Sequence, residues 1–262
     1  MNEMYSGIWL GEAREPHHLP ILHQHLKNCH DSKECLEIII EILKLGDFTV
    51  KDHLIKIMNS SSNSEIIDCC VRLFLMVGNH RDFKNIDNFH FLADASEDVV
   101  ETFAVYANRG ASYQIVPYLL SLLELWEGTN SEMILRDSLD NLLGFYSIIG
   151  EDSSLEEIGE FFLDKLQESQ IELYVYKGSS MFLGKLSKEL LQRAYQIIDT
   201  GESLKMSIIP SMLSTISGLK CPVDYFDIVE SEMIAHIYSY VDNLIALEMI
   251  EGSKYFYGHL II

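Results

Sequence analysis

The chain has 262 residues, 48% of them hydrophobic, and its 40 acidic against 19 basic residues give a formal net charge of −21. The hydrophobic content is ample for a folded core and excludes global disorder. The acidic balance argues against nucleic acid or an anionic membrane surface as a direct partner, because both require basic patches. We therefore expect a folded protein with a basic partner.

The first ten residues contain no cationic region followed by an apolar run. No interval approaches the roughly 18 consecutive apolar residues of a membrane-spanning helix. These features predict a cytoplasmic protein that is neither secreted nor membrane-spanning. The five cysteines are scattered, at Cys29, Cys35, Cys69, Cys70 and Cys221. In a chain without an export signal, we expect them to be reduced and mostly buried.

Residues 1–20 form an irregular lead-in, after which helical periodicity begins. A serine precedes an apolar run at intervals of 32, 32 and 35 residues, at Ser32, Ser64, Ser96 and Ser131. A second helix starts about midway through most intervals, at Thr49, Ser112 and Ser154. Two helices in each fixed period predict an α-solenoid, in which each pair buries its apolar face against its neighbours. An ordinary helical bundle with chance spacing is the alternative.

Local signals refine these helices. Glycines at 46, 78 and 110 end three of the apolar runs, as is typical of helix C-termini. Pro117 should mark a first turn or kink a helix. Ser154 with Glu157 has the spacing of a capping box. The apolar segment from Phe83 to Phe91 predicts a short helix.

The second half is less regular. Residues 171–176 have the composition of a short strand, whereas helical spacing returns around Leu190 and in 206–213 and 233–250. The apolar tail 254–262 should pack back as a terminal cap. Tetratricopeptide and ankyrin consensus patterns are absent, so HEAT-like pairs fit better. We predict an all-α protein with one α-solenoid domain over 1–262: repeat-like helical hairpins over 21–170, then a less regular helical part over 171–262 with a short β element.

Acidic residues are concentrated in the stretch Asp94–Glu168, which holds sixteen of them against three basic residues, a net charge of −13. Like-charged side chains three or four positions apart on a helix repel each other, so such a stripe stabilises a helix poorly and attracts a cationic partner well. A solvated face is the plainer interpretation. The residues predicted to bind a partner are Glu97, Asp98, Glu101, Glu132, Asp137, Asp140, Glu156, Glu157, Glu160 and Asp164.

Signals for catalysis are weak. The N-terminal region is rich in possible metal ligands (His17, His18, His23, His25 and His30, with Cys29 and Cys35), but their spacing fits no common metal motif. Nucleotide-binding and nucleophile motifs are absent as well. We therefore expect no catalytic residues, no metal site and no cofactor.

Several segments of the first 140 residues carry a family resemblance. They are Ile8-Trp9-Leu10-Gly11-Glu12, Ala95-Ser96-Glu97-Asp98-Val99-Val100-Glu101-Thr102-Phe103, Val116-Pro117-Tyr118-Leu119-Leu120 with Trp126-Glu127, and Arg136-Asp137-Ser138-Leu139. With them the chain resembles HEAT-like immunity proteins of bacterial polymorphic-toxin and contact-dependent growth inhibition systems.

The resemblance implies a non-enzymatic protein that binds one cognate toxin domain inside the producing cell and blocks it. Many such toxins are basic RNases or DNases, which must hold phosphates themselves. An acidic surface would present carboxylates where the toxin expects nucleic acid, and we expect a monomer or weak oligomer. Two alternatives remain open: a scaffold that binds peptides in an apolar groove, and a hydrolase or metal enzyme that uses the N-terminal histidines.

Overall fold

A computed structural model describes residues 9–168, 172–206 and 208–262. Ile8 and Ile171, to which parts of the sequence analysis refer, lie outside the described residues. Over these ranges the protein is mostly helical, which confirms the predicted all-α class. The α-helices are α1 (Leu19–Asn28), α2 (Ser32–Lys44), α3 (Lys51–Ser60), α4 (Ser64–Val77), α5 (His80–Lys84), α6 (Glu97–Gly110), α7 (Val116–Leu125), α8 (Ser131–Leu143), α9 (Leu155–Glu168), α10 (Leu183–Ile197), α11 (Ile208–Ser217) and α12 (Ser231–Ile245).

The helices of the first half stack in chain order. Helix α4 packs between α2 and α6, and α6 packs in turn on α8. The four helices that begin near the predicted serines therefore form one row of neighbours. Helices α3 and α7 pack on α4 and α8, and α9 packs on α7. Each amphipathic helix therefore buries its apolar stripe against adjacent helices, as the solenoid prediction requires. The HEAT-like character of these pairs stays a prediction.

Helix starts differ slightly from the prediction. Asp31 caps α2 by accepting hydrogen bonds from the amides of Lys33 and Glu34. Asn63 caps α4 in the same way, so both caps lie one residue before the predicted serines. Helix α3 begins after a 3₁₀ turn at Phe48–Val50, and Thr49 lies within that turn.

Three other local features were predicted, at Pro117, at Ser154 and around Phe89. Pro117 lies in the first turn of α7, where its missing N–H costs no hydrogen bond. The Ser154 amide donates to Glu157 Oε2 at 2.7 Å, and the Glu157 amide donates back to Ser154 Oγ at 3.3 Å, which confirms the capping box. The segment around Phe89 folds as α5 followed by a 3₁₀ helix, Ile86–Leu92.

Two short antiparallel hairpins lie in the described part of the second half. Strand β1 (Val175–Tyr176) pairs with β2 (Ser179–Ser180), and β3 (Tyr255–Phe256) pairs with β4 (His259–Leu260). The first contains the end of the predicted strand, whereas the second was not predicted.

Both hairpin turns donate hydrogen bonds to the C-terminal end of a helix. Lys177 and Gly178 have positive φ, and their amides donate to the carbonyl oxygens of Asn141 and Leu142 at the end of α8. In the second hairpin, the amides of Tyr257 and Gly258 donate to Thr215 and Ile216 at the end of α11. Each turn thereby satisfies carbonyl groups that a helix C-terminus leaves without partners.

The buried apolar side chains form two clusters, one mainly within the first half and one mainly within the second. Phe256, Tyr257 and Ile261 of the tail belong to the first cluster, and Trp9 stacks on Tyr257 with ring centroids 5.6 Å apart. The tail therefore packs back on the chain, as predicted, and it contacts both α11 and the helices of the first half.

The cysteine prediction is wrong for one pair. Cys29 and Cys35 form a disulfide that closes the turn between α1 and α2. The spacing of six residues carried no recognisable signal, because pairing depends on how α1 and α2 pack. Cys69, Cys70 and Cys221 are free and buried, as expected.

Candidate partner-binding site

An open cleft of about 500 Å³ is present on α8 and its flanking loops. Its lining residues are Thr129, Glu132, Met133, Arg136, Asp137, Tyr146, Glu151 and Asp152. The lining thus includes four carboxylates and one guanidinium group, and we call this feature the acidic cleft. Helix α8 supplies four of the eight residues because positions 132, 133, 136 and 137 lie one turn apart on one side of it.

Arg136 offsets the charge of only one of the four cleft carboxylates, because it forms an ion pair with Glu132. Its Nε donates to Glu132 at 2.8 Å, and its Nη1 donates to the carbonyl oxygen of Ser153 at 2.7 Å. Glu132 also accepts from the Gly128 amide at 2.8 Å. The Gly128 amide, and secondly Arg136, lower the pKa of Glu132. Its carboxylate is therefore fixed and ionised at neutral pH.

Tyr146 links the other predicted residues of α8. Its hydroxyl donates to Asp137 Oδ1 at 3.0 Å, and its amide donates to Asp140 Oδ1 at 2.8 Å. Burial raises the pKa of Asp140, although the Tyr146 amide opposes this effect. Asp140 is half-buried and holds the loop after α8, whereas Asp137 stands exposed at the cleft.

The predicted residues of α6 meet α8 at its first residue. Glu97 and Glu101 both lie within hydrogen-bond distance of the buried Ser131 hydroxyl, at 3.3 and 3.1 Å. The N-terminus of α8 favours negative charge there. Asp98 is exposed on the same helix.

The predicted residues of α9 form a separate exposed stripe. Among the described residues, Glu156, Glu160 and Asp164 have no hydrogen bond or ion pair, whereas Glu157 is held in the capping box. The Ser154 amide lowers the pKa of Glu157. Leu163 lies within this stripe and is 58% exposed. We call these five residues the α9 stripe.

Large apolar side chains are exposed beside these carboxylates. Met133 at the cleft is 69% exposed, and Ile148 in the loop after α8 is 62% exposed. Methionine is among the residue types enriched at protein interfaces, whereas singly exposed apolar side chains also occur on ordinary protein surfaces.

The structure therefore places the ten predicted residues in three groups, on α6, on α8 and on α9. It adds Tyr146, Glu151 and Asp152, which sequence reasoning did not select as contacts. One signal in the sequence could have pointed to these residues. The segment from Gly144 to Asp152 has two adjacent isoleucines and two acidic residues but no helical periodicity.

Among the described residues, no group of three or more His, Cys, Asp or Glu side chains could hold a metal ion. Within the same ranges, no helix combines the length and apolar composition required to cross a membrane.

Comparison with known proteins gives one match. The family model described as Immunity protein 47 matches residues 4–261, nearly the whole chain. No curated protein and no solved structure matches.

Proposed function

Since the chain belongs to the Immunity protein 47 family and has the role of a toxin-neutralising immunity protein, we propose that it binds its toxin through the acidic cleft. The toxin in this proposal is a basic nuclease domain, an RNase or DNase. Binding takes place in the cytoplasm of the producing cell, and the immunity protein acts without catalysis, as a monomer or weak oligomer.

The observation that carries this proposal is the composition of the cleft. Three of its carboxylates, Asp137, Glu151 and Asp152, are exposed and line the cleft with Met133, while its arginine is ion-paired with the fourth, Glu132. A nuclease active site holds Lys or Arg side chains for phosphate, and one of these could enter the cleft as a cation. The exposed Met133 would add apolar contact area, while the negative field would accelerate association at low salt.

The α6 and α9 carboxylates take a secondary part in the proposal. Glu97 and Glu101 are already engaged with Ser131, whereas Glu156, Glu160 and Asp164 are available to solvent. The α6 and α9 carboxylates extend the negative electrostatic field around the cleft. This field increases the association rate more than it stabilises the bound complex.

A pull-down from the native lysate, followed by mass spectrometry, tests the role itself. One dominant basic partner supports the proposal, and that domain can then be purified and assayed for nuclease activity. A spread of unrelated partners supports the alternative of a scaffold that binds several proteins.

A charge-reversal pair then tests the cleft. The double variant Glu151→Lys with Asp152→Lys should weaken binding by about a hundredfold or more, since close charge pairs at interfaces contribute several kcal/mol. The matched control is Asp52→Lys with Asp242→Lys, two exposed acids on α3 and α12. It changes the net charge equally, so it should alter affinity only through the long-range field. Equal losses in both variants would remove the cleft from the proposal.

A further inference from the structure

The disulfide between Cys29 and Cys35 spans the turn from α1 to α2. The Cα atoms of the pair are 5.7 Å apart, a separation that suits a disulfide. Both residues are half-buried, whereas Cys69, Cys70 and Cys221 are buried. A thiol in solution therefore reaches this pair more readily than the other three cysteines.

The segment that the disulfide closes is also held by hydrogen bonds. Asp31 Oδ1 accepts from the amide of Lys33 at 3.1 Å and from the amide of Glu34 at 3.0 Å. The Cys35 amide donates to the Asp31 carbonyl oxygen at 2.9 Å. Because this N-cap contains no sulfur atom, the start of α2 should persist when the disulfide is broken.

Helix α1 is likewise anchored by contacts other than the disulfide. Leu22 and Leu26 are buried in the first apolar cluster, and His23 Nε2 lies 2.8 Å from Asp47 Oδ2. Reduction should therefore loosen the connection between α1 and α2 while both helices stay in place. The protein is then folded in both redox states, as a reversible couple requires.

The cytoplasm proposed above for this protein is a reducing compartment. Disulfides that form in the cytoplasm are usually transient or redox-sensing. Cys35 lies in the first turn of α2, where the helix N-terminus favours its thiolate. A thiol with a stabilised thiolate is the better leaving group, so attack by an external thiol should fall on Cys29.

We propose that Cys29 and Cys35 are a reversible thiol–disulfide couple that exchanges with a low-molecular-weight thiol such as glutathione. The glutathione thiolate attacks Cys29 Sγ and expels Cys35 as a thiolate. A second glutathione then displaces the first, which yields glutathione disulfide and two protein thiols. The protein gains two electrons and two protons, and oxidised glutathione reverses the sequence. This proposal rests on the cytoplasmic location proposed above, but not on the toxin or the acidic cleft.

Counting thiols after equilibration with glutathione tests the couple. The folded protein is equilibrated at a series of ratios of reduced to oxidised glutathione, quenched with acid and denatured. It should show three thiols at the oxidising end and all five at the reducing end. Cys29→Ser should lose this change of two thiols, and the control Cys221→Ala should keep it. Five thiols at every ratio, or three at every ratio, would overturn the proposal.

Stability and hydrogen exchange test the structural consequence. The oxidised protein should unfold at a midpoint roughly 5 °C above that of the reduced protein, because the disulfide restricts the unfolded chain. Cys29→Ser should match the reduced protein. Amides in residues 29–35 should exchange faster after reduction, whereas those of α4 should not change. Equal midpoints, or faster exchange throughout α1 and α2, would contradict a couple that is folded in both states.

Discussion

Lys254 Nζ donates a hydrogen bond of 2.8 Å to the carbonyl oxygen of Gly78, 176 residues earlier in the chain. The same ammonium group reaches the carbonyl oxygens of Leu75 and Gly110, so it caps the C-terminal ends of both α4 and α6. Burial lowers the pKa of Lys254 well below its ordinary value, whereas the partial negative charge of those helix ends and the Phe83 ring, whose centroid lies 4.8 Å from Nζ, favour the charged ammonium form. One buried lysine thus joins the second hairpin to the helical stack.

Removing this ammonium group should destabilise the whole chain. The Lys254→Met variant keeps the apolar stem but leaves three carbonyl groups without their donor, so we expect a loss of about 3 kcal/mol in the free energy of unfolding. Urea unfolding followed by circular dichroism measures it. The control Lys220→Met, at an exposed lysine, should change stability by less than about 0.5 kcal/mol. Equal stability of the two variants would contradict a capping role for Lys254.

The helical stack could be predicted from the sequence because the patterns that specify each helix lie within a short segment of the chain. Leu36, Ile39 and Leu43 recur at helical spacing on α2, and equivalent residues on α4, α6 and α8 are buried in the same way. The capping box at Ser154 and Glu157 was predictable for the same reason, since both partners lie within one turn.

The hairpins and the cleft depend on tertiary contacts. A strand of two residues is too short to show the alternation of apolar and polar residues that marks a strand in a sequence. Neither Lys177-Gly178 nor Tyr257-Gly258 is a common hairpin turn sequence. Glu151 and Asp152 join the cleft only because the loop after α8 folds back over that helix. Lysine side chains are usually exposed, so nothing in the local sequence indicated that Lys254 is buried.

The turn at Gly178 should tolerate no side chain. Its φ is +66°, and a Cβ atom there would lie 2.3 Å from the Leu143 carbonyl oxygen. Gly178→Ala should therefore cost about 3 kcal/mol, because the hairpin must move away from the end of α8. Gly201→Ala is the matched control: its φ is +78° but no atom lies within 4 Å of the added Cβ. That variant should cost only about 1 kcal/mol, and similar losses in both would show that the close contact is unimportant.

His80 should make stability depend on pH. Its ring stacks on Tyr174 at 4.1 Å, and its nitrogens bond Ser112 Oγ and the Glu172 carbonyl oxygen. Burial, and to a lesser extent the charge of Lys254, lowers its pKa below the ordinary 6.5. The unfolded chain therefore binds the proton more tightly, so this contribution is fully present above pH 6.5 and is lost as pH falls through the folded-state pKa.

Unfolding free energies of the unaltered protein and of His80→Gln, measured between about pH 5 and about pH 8, test this dependence. The unaltered protein should gain more stability over that range than the variant. His53→Gln, at an exposed histidine, is the control and should retain the full pH dependence. Parallel curves for all three proteins would exclude His80 as the source.

Single apolar substitutions should distinguish the acidic cleft from the α9 stripe as the centre of the toxin interface. Met133 and Leu163 are exposed to similar extents, 69% and 58%, so replacing either by serine should leave folding stability almost unchanged. Burying a methionine side chain contributes about 1.5–3 kcal/mol. If the cleft is central, Met133→Ser should raise the Kd for the toxin at least about tenfold, and Leu163→Ser should change it less than about twofold. Titration calorimetry with the purified toxin domain measures both, and the reverse order would move the centre of the interface to α9.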